Sequence, residues 1–158
     1  MTDDTTWLTP EAFAKLTAEL EELKIEGRTE IEARIAEARS HGDLRENADY
    51  DAAKNDQGLM EARIRQLEAM LNTAEVRQAT DDGTVQTGSL VTVVDEDGDE
   101  MRYLVARYEN KVPGLLLASP DGPLGEALTG ARVGDTVSYQ APGGKFSVTI
   151  QAIEPYRD

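Results

Sequence analysis

Cysteine is absent from the 158 residues, which excludes a disulfide framework and any thiolate-ligated metal site. The single histidine, His41, excludes a histidine metal cage as well. No run of about 18 or more apolar residues occurs, so no membrane-spanning helix and no membrane partner are expected. The opening stretch MTDDTTW has neither the positive charge nor the apolar segment of a secretory signal, which makes the cytoplasm the expected compartment. Basic residues are scarce too, with 16 Lys and Arg against 31 Asp and Glu. The acidic excess is shared by both halves of the chain rather than gathered in a tail. Independent nucleic-acid binding is therefore not expected, because phosphate binding needs cations to displace counterions. Solubility accounts for the excess, and a basic protein partner or a metal ion is the sharper alternative.

What the sequence does have is helical periodicity in its first half. Thr9 is a good N-cap and Pro10 suits the first helical position. Phe13, Leu16, Leu20 and Leu23 then follow alternating steps of three and four, and Gly27, Ile31, Ile35 and Ala38 continue the stripe. The repeated steps of four after Leu23 shift its phase, as a stutter does in a coiled coil, and Gly27 weakens the helix locally. A second stripe, Tyr50, Ala53, Gln57, Met60, Ile64, Leu67, Leu71 and Ala74, runs without a break. Between them lies SHGDLREN, where Gly42 suits a left-handed cap. Two helices of about 30 residues, each about 45 Å long at about 1.5 Å per residue, are expected to pack antiparallel over residues 1–78.

Past residue 78 the pattern changes. ATDDGTVQTG is polar and turn-rich, and residues 79–158 then favour strands. Leu90 to Val94 and Met101 to Val105 flank DEDGDE, which predicts a hairpin with an Asp-Gly turn. Leu115 to Leu117 is a short apolar run, and Pro123 to Leu128 predicts one or two helical turns. Thr136 to Tyr139 is expected to pair across APGG with Phe146 to Ile153. The fold class is α+β: a long helical hairpin followed by a small domain on an antiparallel sheet with a short helix. Trp7, Met60 and Met70 read as packing residues.

Asp43 and Glu46 stand three apart where the second helix opens. That spacing is a capping box, with both charges favoured by the helix dipole. It also places two hard oxygen donors on one exposed turn at the end of a long hairpin, a donor set suited to Mg²⁺ but too small to hold it alone. A carboxylate has several acceptor positions, so capping and metal donation are compatible. His41 beside them reads as a helix-end residue, with a base near the metal as the alternative.

Four segments carry a resemblance to a known family: WLTPEAFAKLTAELEEL, IAEARSHGDLRENADYDAAKNDQGLMEARIRQLEAML, SPDGPLGEAL and ARVGDTV. Together they span nearly the whole chain, and GDLRENADY within a helical hairpin is highly specific. The sequence resembles the GreA/GreB family of bacterial transcript-cleavage factors. The resemblance implies an N-terminal coiled-coil finger and a C-terminal FKBP-like domain that docks on RNA polymerase, the chain itself being no enzyme. It further implies that the finger enters the polymerase secondary channel, where the nascent RNA 3′ end of a backtracked complex emerges. Asp43 and Glu46 match the acidic pair that holds a second Mg²⁺ shared with the polymerase, and Asn47 and Tyr50 match neighbouring positions. Ser119, Pro120, Pro123, Leu124 and Gly125 fall in the region near the docking surface, although their residue types alone suggest turn and packing roles. A monomer is expected.

Two departures stand out. Asp51 occupies a position where a histidine is expected, and Lys54, Asn55 and Asp56 are less basic than the usual run. Arg34, Arg39, Arg45, Lys54, Arg63 and Arg65 are candidates for a broken basic strip facing RNA or the channel wall. Each also fits a solvated helix face with neighbouring partners. Three other functions compete: a relative that binds the channel without promoting cleavage, a prolyl isomerase or chaperone, and a structural spacer. An isomerase needs an aromatic-lined pocket, for which residues 79–158 offer Tyr103, Tyr108, Tyr139, Phe146 and Tyr156.

Overall fold

Helix formation begins where the sequence places it. In the computed structural model, which describes residues 6–40 and 44–157 and gives residues 44–47 by backbone alone, Thr9 Oγ1 accepts the Ala12 N–H at 3.0 Å. That satisfies one of the donors a helix start leaves open, and Pro10 needs none. Helix α1 (Pro10–Glu22) passes into a π-helical turn (Leu23–Gly27) and on into α2 (Arg28–Ser40). The π turn answers the phase shift in the stripe. Successive steps of four carry one residue more than alternating threes and fours, and a π turn absorbs one extra residue. Gly27 closes that turn against the second helix, since a Cβ added there would stand 3.0 Å from Met60 Sδ.

Helix α3 (Leu44–Asn72) runs antiparallel to α2. The pairing partners prove the direction: Arg28 bonds Glu61 through two contacts of 2.9 and 3.0 Å, and Arg34 reaches Asp56 at 2.8 Å, so positions rise on one helix as they fall on the other. On α3 the predicted stripe is the inner face. Ala53, Ile64 and Leu67 are buried, and Tyr50, Gln57, Met60 and Leu71 are half-buried. Leu16, Ile31 and Ala38 are buried on the opposing run.

The chain divides into two compact units, with Phe13–Ala74 in the helical one and Trp7–Ala12 together with the chain from Glu75 onward in the other. Trp7–Ala12 and Glu75 to Gln78 thus group with the sheet. The physical reason is a parallel pairing of β1 (Trp7–Leu8) with β2 (Glu75–Val76). Strands of two residues have no period to read.

The second unit is built on five strands: β3 (Ser89–Asp95), β4 (Glu100–Val105), β5 (Leu116–Ala118), β6 (Thr136–Ala141) and β7 (Gly144–Pro155). Their order is β5-β4-β3-β7-β6. Both predicted hairpins form, with Leu90 opposite Leu104 and Tyr139 opposite Phe146. The sheet is antiparallel except at one edge, where β5 runs parallel to β4. In the β3–β4 turn the Asp95 carboxylate accepts the Asp97 and Asp99 N–H groups, both at 2.9 Å, and Gly98 takes the positive φ of 85° the reversal requires.

One sheet face buries Val91, Val93, Val105, Val148 and Ile150 with Val85 and with Leu128 from the short helix α4 (Pro123–Leu128). The other packs Leu104 and Ala106 against Trp7, with Leu117 and Tyr156 half-buried beside them. Trp7 is fixed by its indole N–H donating to the Arg77 carbonyl at 2.7 Å. Asn110, 2% exposed, accepts the Thr9 N–H at 2.8 Å and donates to the Trp7 carbonyl at 3.0 Å. A buried amide so placed satisfies two backbone groups that would otherwise be stranded.

Candidate functional site at the hairpin turn

By sequence position the acidic pair spans the junction between α2 and α3. Helix α2 ends at Ser40 and α3 begins at Leu44, so Glu46 lies in the first turn of α3. Asp43, with His41 and Gly42, lies outside the described residues, as do the side chains of Arg45, Glu46 and Asn47. What surrounds the turn is described. Ser40 Oγ donates back to the Glu37 carbonyl at 2.7 Å, and the small residues Ala38 and Ala53 are buried on α2 and α3. Tyr50, half-buried, lies under the Arg39 guanidinium, whose carbon is 5.7 Å from the ring centroid. Asp49 and Asp51 are exposed.

The candidate basic strip is largely engaged within the hairpin. Arg34 pairs with Asp56, and Lys54 donates to Gln57 Oε1 at 3.0 Å. Arg63 spends its guanidinium on both Glu19 oxygens, at 2.8 and 2.9 Å, and on Gln66. The Arg63 hydrogen bond holds the Glu19 carboxyl below the usual carboxylate range, and that of Arg28 does the same to Glu61. Arg63 therefore joins α1 to α3. Arg65 is exposed.

In the sheet unit, the Ser119–Gly125 segment is a tight fold-back. The Ser119 carbonyl accepts the Gly122 N–H at 2.9 Å, and a Cβ on Gly125 would lie 1.8 Å from that same oxygen. Glycine is required there because backbone occupies the space. Leu124 packs on the core, and Pro120 is half-buried, while Pro123 is exposed. Asp95, Asp97 and Asp99 bring carboxylate oxygens within 4.8 Å of one another, a gathering explained by the turn they build.

Residues 6–76 match the family model for the N-terminal part of a transcription elongation factor, and residues 79–155 match the one for the C-terminal part of GreA/GreB transcription elongation factors. The chain belongs to the GreA/GreB family. Transcription elongation factor GreA of Streptomyces avermitilis is 46% identical to it, over 98% of this chain and 96% of that protein. The factor of the same name from Mycobacteroides abscessus is 47% identical over the full length of both. Among solved structures, GreA factor homolog 1 of Thermus thermophilus matches at 28% identity and a TM-score of 0.44, covering 95% of this chain and 99% of that one. This GreA/GreB member is accordingly a transcription elongation factor, and no described helix is long and apolar enough to cross a membrane. Near the hairpin turn, sequence reasoning missed the contact between Arg39 and Tyr50. Each had been singled out alone, and only the antiparallel register brings them together.

Proposed function

We propose that this chain binds RNA polymerase, passes its helical hairpin into the secondary channel and stimulates the polymerase's own cleavage of backtracked RNA. It does so as a monomer in the cytoplasm. The observation that supports the reading is the coincidence of the hairpin turn with GDLRENADY. Helix α2 ends at Ser40 and α3 begins at Leu44, so the motif runs from the junction between them into α3. The chemistry belongs to the polymerase, and this chain supplies ligands and placement.

The donor set fits Mg²⁺ by chemistry: two carboxylates three residues apart, one in the first turn of a helix, offer hard oxygens and too few of them for a closed shell. Asp43 and Glu46 would hold the ion together with the polymerase's own carboxylates. Such an ion supplies positive charge to the phosphate under attack. The residues of this chain do the rest by position. The seam holds α2 and α3 together, and Asn47 would offer a neutral amide for a water or the transcript. Asn47 carries the same family expectation as the acidic pair and no charge to compete with it.

Stalled, backtracked complexes with labelled transcripts test the proposal. Added factor should raise the cleavage rate, and the rise should depend on Mg²⁺. A factor that binds but slows intrinsic cleavage would establish a channel competitor. Tyr139 packs against the sheet core, and the exposed Phe146 lies against its ring with centroids 5.8 Å apart, which does not favour an isomerase pocket there. Turnover of a prolyl tetrapeptide would reinstate it.

A further inference from the structure

Three arginines of α2 reach across to α3 like rungs. Arg28 meets Glu61 and Arg34 meets Asp56, both carboxylates. The third, Arg39, is as far beyond Arg28 on α2 as Tyr50 is before Glu61 on α3, and it meets a ring instead. The substitution has an electrostatic meaning. A carboxylate partner at this rung would add negative charge next to Asp43 and Glu46, and each added anion makes two carboxylates harder to keep ionised together. An aromatic face holds the guanidinium without adding any.

The rung also has a mechanical meaning. Only three residues separate Ser40 from Leu44, and Asp43 is the last of them. Arg39 sits in the last turn of α2, directly before Ser40, and Tyr50 follows Glu46 by one helical turn. Fixing the two helix ends to each other leaves so short a connection few conformations. We infer that Arg39 and Tyr50 form a clamp that positions the acidic pair, a role that rests on the reading of Asp43 and Glu46 given above. They are positioning residues, acting through the turn and not on the transcript.

Loosening a positioned pair lowers the rate at saturation and leaves binding alone. Arg39→Gln and Tyr50→Leu should each reduce the maximal stimulated cleavage rate about two- to five-fold, the size of an exposed cation–π contact, with the half-saturating factor concentration unchanged. Tyr50→Phe keeps the ring and should retain nearly the wild-type rate. The double variant should be no slower than the slower single one, because one contact cannot be lost twice. Fold losses that multiply, a loss in Tyr50→Phe equal to that in Tyr50→Leu, or an effect confined to half-saturation would each overturn the clamp. Multiplied losses would instead assign Arg39 to the transcript. An Asp43→Asn control separates the two layers: if that variant still stimulates fully, the reading of the acidic pair fails, whereas multiplied losses beside an inactive Asp43→Asn remove the clamp alone.

Discussion

The helical unit and the sheet unit are stabilised by different means. The hairpin buries a narrow seam, with Ala38 and Ala53 towards one end and Leu16, Ile31, Ile64 and Leu67 along the rest, and ion pairs between half-exposed or exposed side chains join its helices. The sheet unit encloses an apolar core of Val, Ile, Leu and Ala with a buried amide locking its first strand. Exposed ion pairs are screened and contribute little each, so the hairpin is held by length and register and the sheet by burial.

The comparison is broken most strongly in the sheet core. Ile150→Ala removes a fully buried side chain and should destabilise the sheet unit by about 2–5 kcal/mol. Denaturant unfolding read by the single Trp, which lies in that unit, measures it. Gly125→Ala drives a methyl into the Ser119 carbonyl and should lower stability by about 1–3 kcal/mol in the same experiment. Asn110→Ala strands the Thr9 N–H and the Trp7 carbonyl, at a cost of about 1–3 kcal/mol, with a change in Trp7 emission at native conditions.

Changes in the hairpin should be smaller. Arg63→Gln removes an exposed pair and should cost at most about 1 kcal/mol, read by amide exchange along α1 and α3. The same pairs give the hairpin a sensitivity to acid. Because Arg63 and Arg28 lower the folded-state pKa of Glu19 and Glu61, their contribution is complete above the ordinary carboxylate range and disappears as pH falls through the depressed values. Helical ellipticity should therefore soften as pH falls below the ordinary carboxylate range, and Arg63→Gln should remove part of that response. An unchanged acid profile in the variant would show that the Glu19–Arg63 pair contributes nothing there.

Much of this was legible because the signals were local. Thr9-Pro10 marked the helix start, and the stripe from Tyr50 to Leu71 named the inner face of α3 residue by residue. Asp-Gly and Gly-Gly set both hairpins. The π turn was written as a surplus residue in the first stripe, which reads equally as a stutter. What stayed hidden depends on partners distant in sequence. The β1–β2 pairing joins two-residue strands across the whole helical hairpin, and the parallel edge of β5 has no pattern of its own. The Arg39–Tyr50 contact emerges only once the register is fixed. The acidic pair is read from its spacing and its motif; Asp43 lies outside the described residues, and Glu46 stands in the first turn of α3.

On the proposed mechanism, carboxylate oxygens from Asp43 and Glu46 complete a metal site that the polymerase leaves half built. The direct measurement is cleavage of a labelled, backtracked transcript by Asp43→Asn and Glu46→Gln, beside competition of each variant with wild-type factor for the polymerase. Asn caps a helix as well as Asp does, so both variants should fold and compete as wild type while stimulated cleavage is lost. Full stimulation by the doubly neutral variant would contradict the account.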